Sequence, residues 1–305
     1  MVKIEVGAGG WSYFNVPGDP LSKYSEVYDF VEVNSTFYFF PELRMVKSWK
    51  KRVVPDFNFT VRCHRDLTHK HRLEPSEKAY KILDKMMIVC KILNAKTLHL
   101  QTASSYKPTD NLKQLSDFFS SINNKIPLAW EIRNKNEPTQ ELKSLMQDFK
   151  IIHCTDISKD QKPFYTNEVL YTRLFGRGYK NIYQFDDVEL ENILRKTEAS
   201  GSKSAFLNFH GVRMYTDAAR MKFFKETENF PQLTKSTGID SLIEVLKEDM
   251  IFPTTKNHLV EEQGWKVYDH NKNLHIHAWI PLIKITSKTY HSVNDLVDEL
   301  KKNWI

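Results

Sequence analysis

Residues 30–38 read Phe-Val-Glu-Val-Asn-Ser-Thr-Phe-Tyr, and this stretch decides the fold. Its apolar and β-branched residues predict a buried strand, in which successive side chains point to opposite faces. Glu32 and Asn34 are two residues apart, so they lie on the same face. A buried carboxylate beside a buried amide is costly unless both groups bind a partner. We therefore expect the end of this strand to form part of a site.

The same strand pattern recurs along most of the chain. Short apolar runs predict eight strands, at 3–9, 30–35, 57–63, 97–102, 127–133, 151–156, 169–175 and 203–209. Amphipathic stretches between most of them predict helices, at 42–53, 76–93, 111–122, 139–149, 187–197 and 216–228. Strands that alternate with helices pair in parallel, so the α/β pattern predicts a TIM-type (β/α)8 barrel, which need not be regular. A doubly wound open sheet is the alternative.

The last part of the chain has a different pattern. Predicted helices at 241–250, 256–263 and 292–303 surround two strand-like runs at 265–268 and 274–279. We expect a barrel domain at 1–235 and a small C-terminal α+β module at 236–305, for which a winged-helix-like arrangement is one option. Residues 232–238 are the expected linker. His275 and His277 alternate on a predicted strand with too few ligands for a metal site, so we expect them at the surface.

Composition places the chain among ordinary globular proteins. Hydrophobic residues make up 41% and charged residues 27% of the 305 residues. No apolar stretch is long enough for a membrane span, and the N-terminus carries no secretory segment. The three cysteines are scattered, which argues against a disulfide framework, a zinc ribbon or an iron–sulfur site. We expect a cytoplasmic protein with no membrane partner; the sequence leaves its oligomeric state open.

The positive charge is concentrated in the predicted barrel. The net charge is +6, yet residues 236–305 hold 8 Lys and Arg against 10 Asp and Glu. The predicted barrel domain therefore carries 36 basic against 28 acidic residues, a net charge of +8. This excess is compatible with an anionic partner such as nucleic acid or a phosphorylated small molecule. A generally lysine-rich, well-solvated surface explains the charge equally well.

Polar side chains cluster at the ends of the predicted strands. In a parallel barrel, ligands and catalytic groups gather at the carboxyl ends of the strands. Alternation places the members of each pair on one face. The residues that we expect at this mouth are Glu32, Asn34, Arg62, Gln101, Glu131, Arg133, Asp156, Arg173 and Asn208.

The residue types at this mouth indicate an anionic ligand and acid–base chemistry. Guanidinium groups match phosphate oxygens, so we expect Arg62, Arg133 and Arg173 to hold a phosphate. A carboxylate whose pKa is shifted by its neighbours acts as a general acid or base. The catalytic candidates are therefore Glu32, Glu131 and Asp156. A network of buried salt bridges that closes the barrel is the structural alternative.

A divalent metal is a second option for these carboxylates. His64, His69, His99 and His210 lie near strand ends, and mixed nitrogen and oxygen ligands suit zinc, manganese or magnesium. No HExxH or other closely spaced ligand motif is present. The sequence therefore leaves open which cofactor, if any, is bound and which residues would ligate a metal.

Two aromatic residues follow the first predicted strand. Trp11 and Tyr13 come directly after the Gly9-Gly10 turn, over the expected mouth. Aromatic rings at this place stack on a base or a sugar, or they cover the core beneath a loop. We include both residues among the substrate-binding candidates.

The motifs resemble a known family. The order of Gly10-Trp11-Ser12-Tyr13, the stretch 30–38, Phe59–Arg62, Glu131-Ile132-Arg133 and Tyr171–Leu174 is similar to that of the YecE-like domain-of-unknown-function family (number 72). The resemblance spans about residues 1–228 and also includes Leu100-Gln101, Asp156 and Asn208. It implies a TIM-type barrel and assigns no activity. Where the family usually has lysine, this chain has Arg62, so a Schiff-base lysine is excluded there.

Three functions fit these observations. The first is a hydrolase or lyase that acts on a phosphate-bearing substrate, above all nucleic acid, in the manner of a metal-dependent phosphodiesterase or nuclease. The second is an isomerase- or aldolase-like enzyme that acts on a small sugar phosphate in a narrow pocket. The third is a non-catalytic protein that binds nucleic acid or another partner.

Overall fold

The computed structural model describes residues 2–122, 126–134 and 138–304, and strands alternate with helices through most of its length. The first fifteen elements are β1 (Lys3–Ala8), α1 (Pro20–Val27), β2 (Phe30–Val33), α2 (Leu43–Lys51), β3 (Asn58–Arg62), α3 (Glu77–Leu93), β4 (Leu98–Gln101), α4 (Leu112–Ser120), β5 (Leu128–Glu131), α5 (Gln140–Asp148), β6 (Ile152–Cys154), β7 (Val169–Leu174), α6 (Asp187–Glu198), β8 (Ser204–Phe209) and α7 (Met214–Thr227). Each predicted strand is present, with ends within two residues of the prediction. The sequence prediction missed α1.

The eight strands form one parallel sheet that curls almost completely into a barrel. Their order is β6-β5-β4-β3-β2-β1-β8-β7, so neighbours in the sequence are neighbours in the sheet. A parallel bridge between Thr155 and Thr172 joins the two ends of this order. The Thr172 hydroxyl donates to the Thr155 carbonyl at 2.7 Å across the same seam. The predicted TIM-type fold is therefore confirmed, and the open doubly wound sheet is not formed.

The barrel is irregular between β6 and β7. Only a short 3₁₀ turn, Ile157–Lys159, separates these two strands, whereas an α-helix follows each of the others. Elsewhere the helices have ordinary ends. For example, α3 begins after Ser76, whose hydroxyl accepts a hydrogen bond from the Ala79 amide, and it ends at Asn94 in the left-handed conformation.

The barrel interior changes from apolar to polar along its strands. A buried cluster contains Phe30, Ala129, Ile152, Cys154, Tyr171 and Phe206. Alternate residues of a strand point to the same side, so residues two positions further along continue the same inner face. These next inward residues include Glu32, Glu131, Arg173 and Asn208. The apolar layer therefore supports a polar layer at the carboxyl ends of the strands.

The chain divides into two compact units. The first comprises Met1–Leu174 and Lys196–His210, and the second comprises Phe175–Arg195 and Gly211–Ile305. The first unit holds all eight barrel strands, while the segment after β7 and the helix after β8 belong to the second unit. The sequence-based boundary near residue 235 stays a prediction about folding domains, since compactness alone does not test it.

The second unit has its own hydrophobic core. Its further elements are α8 (Gly238–Leu246), β9 (Thr254–Thr255), α9 (Lys256–Gln263), β10 (Val267–Asn271), β11 (Leu274–His277), α10 (Trp279–Leu282), β12 (Thr289–Tyr290) and α11 (Val293–Lys302). The core includes Leu242, Leu246, Leu259, Leu282 and Leu296. Strands β10 and β11 form a hairpin, and β9 pairs antiparallel with β12. A small α+β module is therefore present, as predicted.

Two helices of this unit repeat one local design. Thr255 caps α9 by accepting a hydrogen bond from the His258 amide, and Ser292 caps α11 in the same way. Residues 257–262 and 294–299 both follow the pattern Asn-x-Leu-Val-acidic-Glu. Each helix therefore presents its Leu259 or Leu296 to the core one turn after the cap.

The two histidines of β11 are buried, so their expected surface position is wrong. His275 lies between two carboxylates, with Nδ1 2.8 Å from Asp187 and Nε2 3.0 Å from Asp269. Arg220 pairs with the other oxygen of Asp187 at 2.6 Å. We call Asp187, Arg220, Asp269 and His275 the second-unit ion network. Asp187 and Arg220 come from distant parts of the sequence, which is why the hairpin alone, with Asp269 and His275, did not reveal the network.

Within the described residues, no helix combines the length and the apolar character that a membrane crossing requires.

Candidate active site at the barrel mouth

Glu32 is the centre of the polar layer, and it is completely buried. Tyr171 donates its hydroxyl to Oε2 of Glu32 at 2.7 Å. Nη2 of Arg173 lies 3.2 Å from Oε1, and the rings of His210 and His99 lie 3.3 and 3.5 Å from the carboxylate. Burial is the largest single influence and raises the pKa of Glu32, but Arg173, His210 and His99 together hold that pKa well below its usual range. Glu32 is therefore ionised.

Arg173 connects the two carboxylates of the mouth. Its Nη1 donates to Glu131 at 2.6 Å and to Gln101 at 2.9 Å, while Nη2 faces Glu32. Burial opposes the charge of Arg173, yet Glu32 and Glu131 raise its pKa above the usual value. Burial likewise opposes ionisation of Glu131, and Arg173 lowers the Glu131 pKa well below its usual range. These three side chains form one charged cluster across β2, β5 and β7.

Arg62 extends this cluster but lacks a carboxylate of its own. Its Nη1 donates to Asn34 and its Nη2 to Gln101, both at 2.7 Å, and both acceptors are neutral amides. The guanidinium stacks 3.7 Å from the centre of the Phe37 ring. Across the described ranges, no carboxylate lies within ion-pair distance of Arg62, and its Nε has no hydrogen-bond partner. Burial, followed by Arg173, lowers the pKa of Arg62 to about 10.

The two histidines of the mouth are neutral at pH 7. Burial and Arg173 lower the pKa of His210 to about 4, and burial lowers the pKa of His99 as well. Nε of Arg173 donates to Nε2 of His210 at 3.0 Å, which requires an unprotonated acceptor nitrogen. Because these imidazoles are neutral, the positive charges of the cluster are those of its arginines.

Gly9 makes room for His210. A Cβ atom at this position would lie 2.1 Å from the His210 ring, far inside van der Waals contact. Only glycine therefore allows the imidazole to reach Arg173 and Glu32 beside the end of β1. The sequence prediction saw a tight turn here and missed this close approach.

Asn208 is the least satisfied polar group of the layer. Its side chain is completely buried, and neither Oδ1 nor Nδ2 has a hydrogen-bond partner in the described parts of the chain. The residue lies opposite Arg173 in the register of β7 and β8. Buried amides are normally bonded, so this amide indicates a partner that the protein chain does not supply.

Two of the predicted residues stand at the edge of the cluster. Arg133 donates to the second oxygen of Glu131 at 2.7 Å, and its side chain is 43% exposed. Asp156 instead caps the 3₁₀ turn after β6, where it accepts hydrogen bonds from the Ser158 amide and hydroxyl, at 3.1 and 2.5 Å. Lys159 lies 3.7 Å from its other oxygen. Local capping explains Asp156, and no described hydrogen bond or ion pair joins it to Glu32 or Glu131.

Of the two predicted aromatic residues, Trp11 is packed against another ring and Tyr13 is exposed to solvent. Trp11 packs edge-on against Trp49, with ring centres 5.4 Å apart. Tyr13 is 84% exposed. The loop after β2 adds Tyr38, Phe39 and Phe40, whose side chains are also substantially exposed. This run of aromatics directly follows the predicted motif, and the sequence analysis did not assign it a role.

A metal ion does not fit the carboxylates of the mouth. His99, Glu131 and Cys154 offer ligand atoms within 4.8 Å of one another. However, Arg173 already donates to the Glu131 oxygen that faces His99, so its positive charge stands where a cation would bind. Burial also raises the pKa of the Cys154 thiol well above its usual value, which disfavours a thiolate ligand.

A second group of this kind is explained by helix capping. Asp186, Glu189 and His277 in the second unit also bring ligand atoms within 4.8 Å. Asp186 accepts from the Glu189 amide at 2.9 Å and Glu189 accepts from the Asp186 amide at 3.1 Å, which is a capping box at the start of α6. Tyr183 donates to the other Glu189 oxygen at 2.5 Å. Both oxygens of Glu189 are therefore already bonded.

Comparison with known proteins agrees with this architecture. Residues 5–234 match the model of a family described as protein of unknown function DUF72. The chain belongs to the DUF72 family. A DUF72 structure from Thermotoga maritima is 20% identical, with a TM-score of 0.59 over 73% of this chain and 99% of that one. Another, from Enterococcus faecalis V583, is 17% identical, with a TM-score of 0.58 over 74% and 98%.

The match over residues 5–234 confirms the predicted family, and the solved relatives show the fold alone. The DUF72 structures share too little sequence with this chain to transfer a site residue. The comparison with curated proteins finds no match. Evidence for the function of this DUF72 chain therefore comes from its own side chains.

The site of this DUF72 chain contains residues that the sequence analysis did not select. Tyr171 bonds directly to Glu32. It precedes Arg173 by two positions on β7, so alternation could have found it. His99 and His210 were considered only as metal ligands, because the sequence does not show that Arg173 stands between the carboxylates. Their observed role is to pack as neutral rings against this ion cluster.

Proposed function

We propose that this DUF72 chain is a hydrolase or lyase that acts on a phosphate-bearing substrate, with nucleic acid as the substrate class, at the mouth of its barrel. The observation that carries the proposal is the buried guanidinium of Arg62, whose hydrogen-bond partners in the described part of the chain are two neutral amides. A buried charge without a counter-charge is costly, and a bound anion removes that cost. A phosphate oxygen is the natural partner for its unbonded Nε.

Glu131 is the best candidate for the catalytic base. Its side chain is 14% exposed, whereas Glu32 is completely buried, so only Glu131 reaches a substrate or a water molecule. Its ionised carboxylate would take a proton from water as the water oxygen attacks phosphorus and the ester bond breaks. In an elimination it would take the proton from the substrate. Glu32 holds Arg173 in place and keeps its charge.

The exposed aromatics favour nucleic acid over a small sugar phosphate. Tyr13, Tyr38, Phe39 and Phe40 are all exposed on the loops after β1 and β2. Phe37, in the same loop, stacks on Arg62. Aromatic rings beside a phosphate site provide stacking surfaces for bases, which a small sugar phosphate does not need. Asp156 stays a catalytic candidate, although its observed hydrogen bonds to Ser158 support the neighbouring turn.

Turnover of labelled oligonucleotides by two variants tests this proposal. Glu131→Gln is expected to lower kcat by about 10²–10⁴-fold, because it removes the base and keeps the shape. Arg62→Gln is expected to raise KM by about tenfold or more, because a hydrogen bond to a charged phosphate is lost. Glu198→Gln, on the exposed end of α6, is the matched control and should behave as wild type.

The assay should be run with magnesium, manganese or zinc and with a chelator. Unchanged turnover in Glu131→Gln, under conditions in which wild type is active, would refute its role as base. If the protein binds oligonucleotides in a salt-dependent way but shows no turnover under any condition, a non-catalytic binding protein is the better interpretation.

A further inference from the structure

A polar cavity lies beside the barrel mouth in the first unit. Its volume is about 370 Å³, and its walls come from the loops that follow β3 and β4. Lys70 and Arg72 belong to the first of these loops, and Tyr106 and Lys107 to the second. Loops that follow the carboxyl ends of barrel strands stand on the same face as the candidate site. Nothing in the proposed function assigns a role to this cavity.

Tyr106 is the strongest sign of a ligand. Its side chain is only 3% exposed, yet its hydroxyl has no hydrogen-bond partner in the described ranges. Buried tyrosine hydroxyls usually find a partner. Because Tyr106 lines the cavity, the missing partner is expected from whatever fills that space. Burial raises the pKa of Tyr106, so the hydroxyl stays protonated and donates.

Cations without counter-ions give the cavity a preference for anions. Lys70, Arg72 and Lys107 are exposed, and none has a carboxylate within 4.0 Å among residues 2–122, 126–134 and 138–304. Two acidic residues, Glu74 and Asp110, also line the cavity, so three positive charges face two negative ones. The charge of Arg72 opposes the effect of burial on the pKa of the Tyr106 hydroxyl.

The backbone fixes Arg72 at the cavity wall. Arg72 and Leu73 both adopt left-handed backbone conformations, with φ of 49° and 56°. The Arg72 carbonyl accepts a hydrogen bond from Nε2 of Gln114 at 2.8 Å, which ties this loop to α4. A cation on a tethered loop loses less conformational freedom when it binds an anion than a free side chain on a mobile loop does.

A chain of ring contacts links this cavity to the mouth. Arg62 stacks on Phe37 at 3.7 Å, and Phe37 contacts the His69 ring edge-on at 5.3 Å. His69 directly precedes Lys70 at the cavity wall. A nucleic-acid chain with one phosphate at Arg62 therefore passes only this aromatic contact to bring another phosphate to Lys70.

We propose that the cavity is a second phosphate-binding site, which takes a phosphate group of the same single-stranded nucleic acid that the mouth binds. The Tyr106 hydroxyl donates to one phosphate oxygen, and Arg72 and Lys107 neutralise the charge. This inference rests on the proposed function for the identity of the strand. It adds a prediction of its own, because a strand that fills both sites binds more tightly than one that fills only the mouth.

Oligonucleotide length separates the two sites experimentally. Fluorescence anisotropy would measure the binding of a labelled single-stranded octanucleotide and of a dinucleotide to wild type, Arg72→Gln/Lys107→Gln and Tyr106→Phe. The double variant is expected to weaken octanucleotide binding by about tenfold or more, since two charged contacts are lost. The slope of log K against log salt should fall by about 1.4, or about 0.7 for each lost contact. Dinucleotide binding should not change.

Tyr106→Phe tests the hydroxyl alone. It keeps the ring and removes one donor, so a several-fold loss of octanucleotide affinity is expected with an unchanged salt slope. Lys78→Gln, an exposed position on α3 outside the cavity, is the control for loss of one positive charge. The replaced cations are exposed, so unchanged thermal melting is expected for the double variant.

The outcomes distinguish this inference from the proposed function. Octanucleotide binding that is equal in wild type, the double variant and Tyr106→Phe overturns the second site, even if Arg62→Gln and Glu131→Gln impair turnover. Wild-type protein that binds no oligonucleotide also overturns it. Weaker octanucleotide binding by the cavity variants supports the second site, even if no turnover is found and the hydrolase proposal fails.

Discussion

The barrel mouth and the second-unit ion network are built from the same residue types and differ in how their charges are paired. In the network, Arg220 and His275 both pair with Asp187, and His275 also faces Asp269. At the mouth, Arg173 pairs with two glutamates, while the hydrogen-bond partners of Arg62 within the described ranges are neutral amides. Buried charges that are paired within the chain are already compensated there. A buried charge that lacks such a pair is a candidate position for a ligand, which is the basis of the proposed function.

The histidines of the two regions show the same contrast. The two aspartates that flank His275 outweigh burial and raise its pKa to about 9. At the mouth, burial together with Arg173 lowers the pKa of His210 to about 4. His275 is therefore a cation within a network of carboxylates, and His210 is a neutral ring beside a guanidinium. The neighbouring charges, not the residue type, decide the role.

Replacement of Arg220 should have the largest effect on stability. Arg220→Leu leaves the buried Asp187 without its guanidinium, and we expect a loss of about 3–5 kcal/mol in the free energy of unfolding. Urea titration measures this loss. At the mouth, Arg62→Leu leaves neutral amides rather than charges, so a smaller loss of about 1–3 kcal/mol is expected.

The exposed Arg195→Leu on α6 is the control and should change the free energy by less than about 0.5 kcal/mol. Equal losses of stability for Arg62→Leu and Arg220→Leu would contradict the proposed difference between the two regions. Arg62 would then be a structural cation like Arg220.

A methyl group at Gly9 should have an intermediate effect. Gly9→Ala places a Cβ atom against the His210 ring, and we expect a loss of about 1–3 kcal/mol from overpacking, measured by urea titration. If the ring moves away from Arg173, oligonucleotide binding at the mouth should weaken as well. His210→Ala removes the ring that the new methyl group would meet. The added loss from Gly9→Ala should therefore be smaller in His210→Ala than in wild type. Strict additivity of the two single losses would show that the two residues do not interact.

A difference in pH dependence is also expected, and it is spread over several pH units. The pKa of His275 is raised from 6.5 to about 9 on folding, so its stabilisation is complete below pH 6.5 and is lost as the pH rises through about 9. The pKa of His210 is lowered from 6.5 to about 4, so its site loses stability as the pH falls from 6.5 to 4. Each slope is at most about 1.4 kcal/mol per pH unit.

Urea titrations between pH 4 and pH 9 test both slopes. His275→Gln should remove the decline above pH 6.5 and leave the decline on the acid side. His258→Gln, at an exposed position on α9, is the control and should keep both. An alkaline decline that persists in His275→Gln would show that another group causes it.

Strand periodicity was sufficient to predict the barrel and to bring together several residues of the candidate site. The alternation of Glu32 and Asn34 predicted a polar inner face, and Arg62, Gln101, Glu131 and Arg173 join it through hydrogen bonds. Asp156 stays a candidate, and the structure shows it as the cap of the turn that follows β6, a local role that periodicity does not indicate. The expected surface position of His275 and His277 was wrong, because their partners Asp187 and Glu189 lie about ninety residues earlier in the sequence.

The sequence by itself determined the family, the eight-stranded barrel and which residues face its polar end, because strand alternation and strand order are local properties. Only the tertiary structure decided which of those residues are charged and which charge is left without a pair. Those properties depend on distances between strands that are far apart in the sequence. The stretch 30–38 therefore predicted a polar strand end. Because Arg173 lies between Glu32 and Glu131, Arg62 is bonded in the described ranges to the amides of Asn34 and Gln101, and this arrangement is the basis of the proposed anion site.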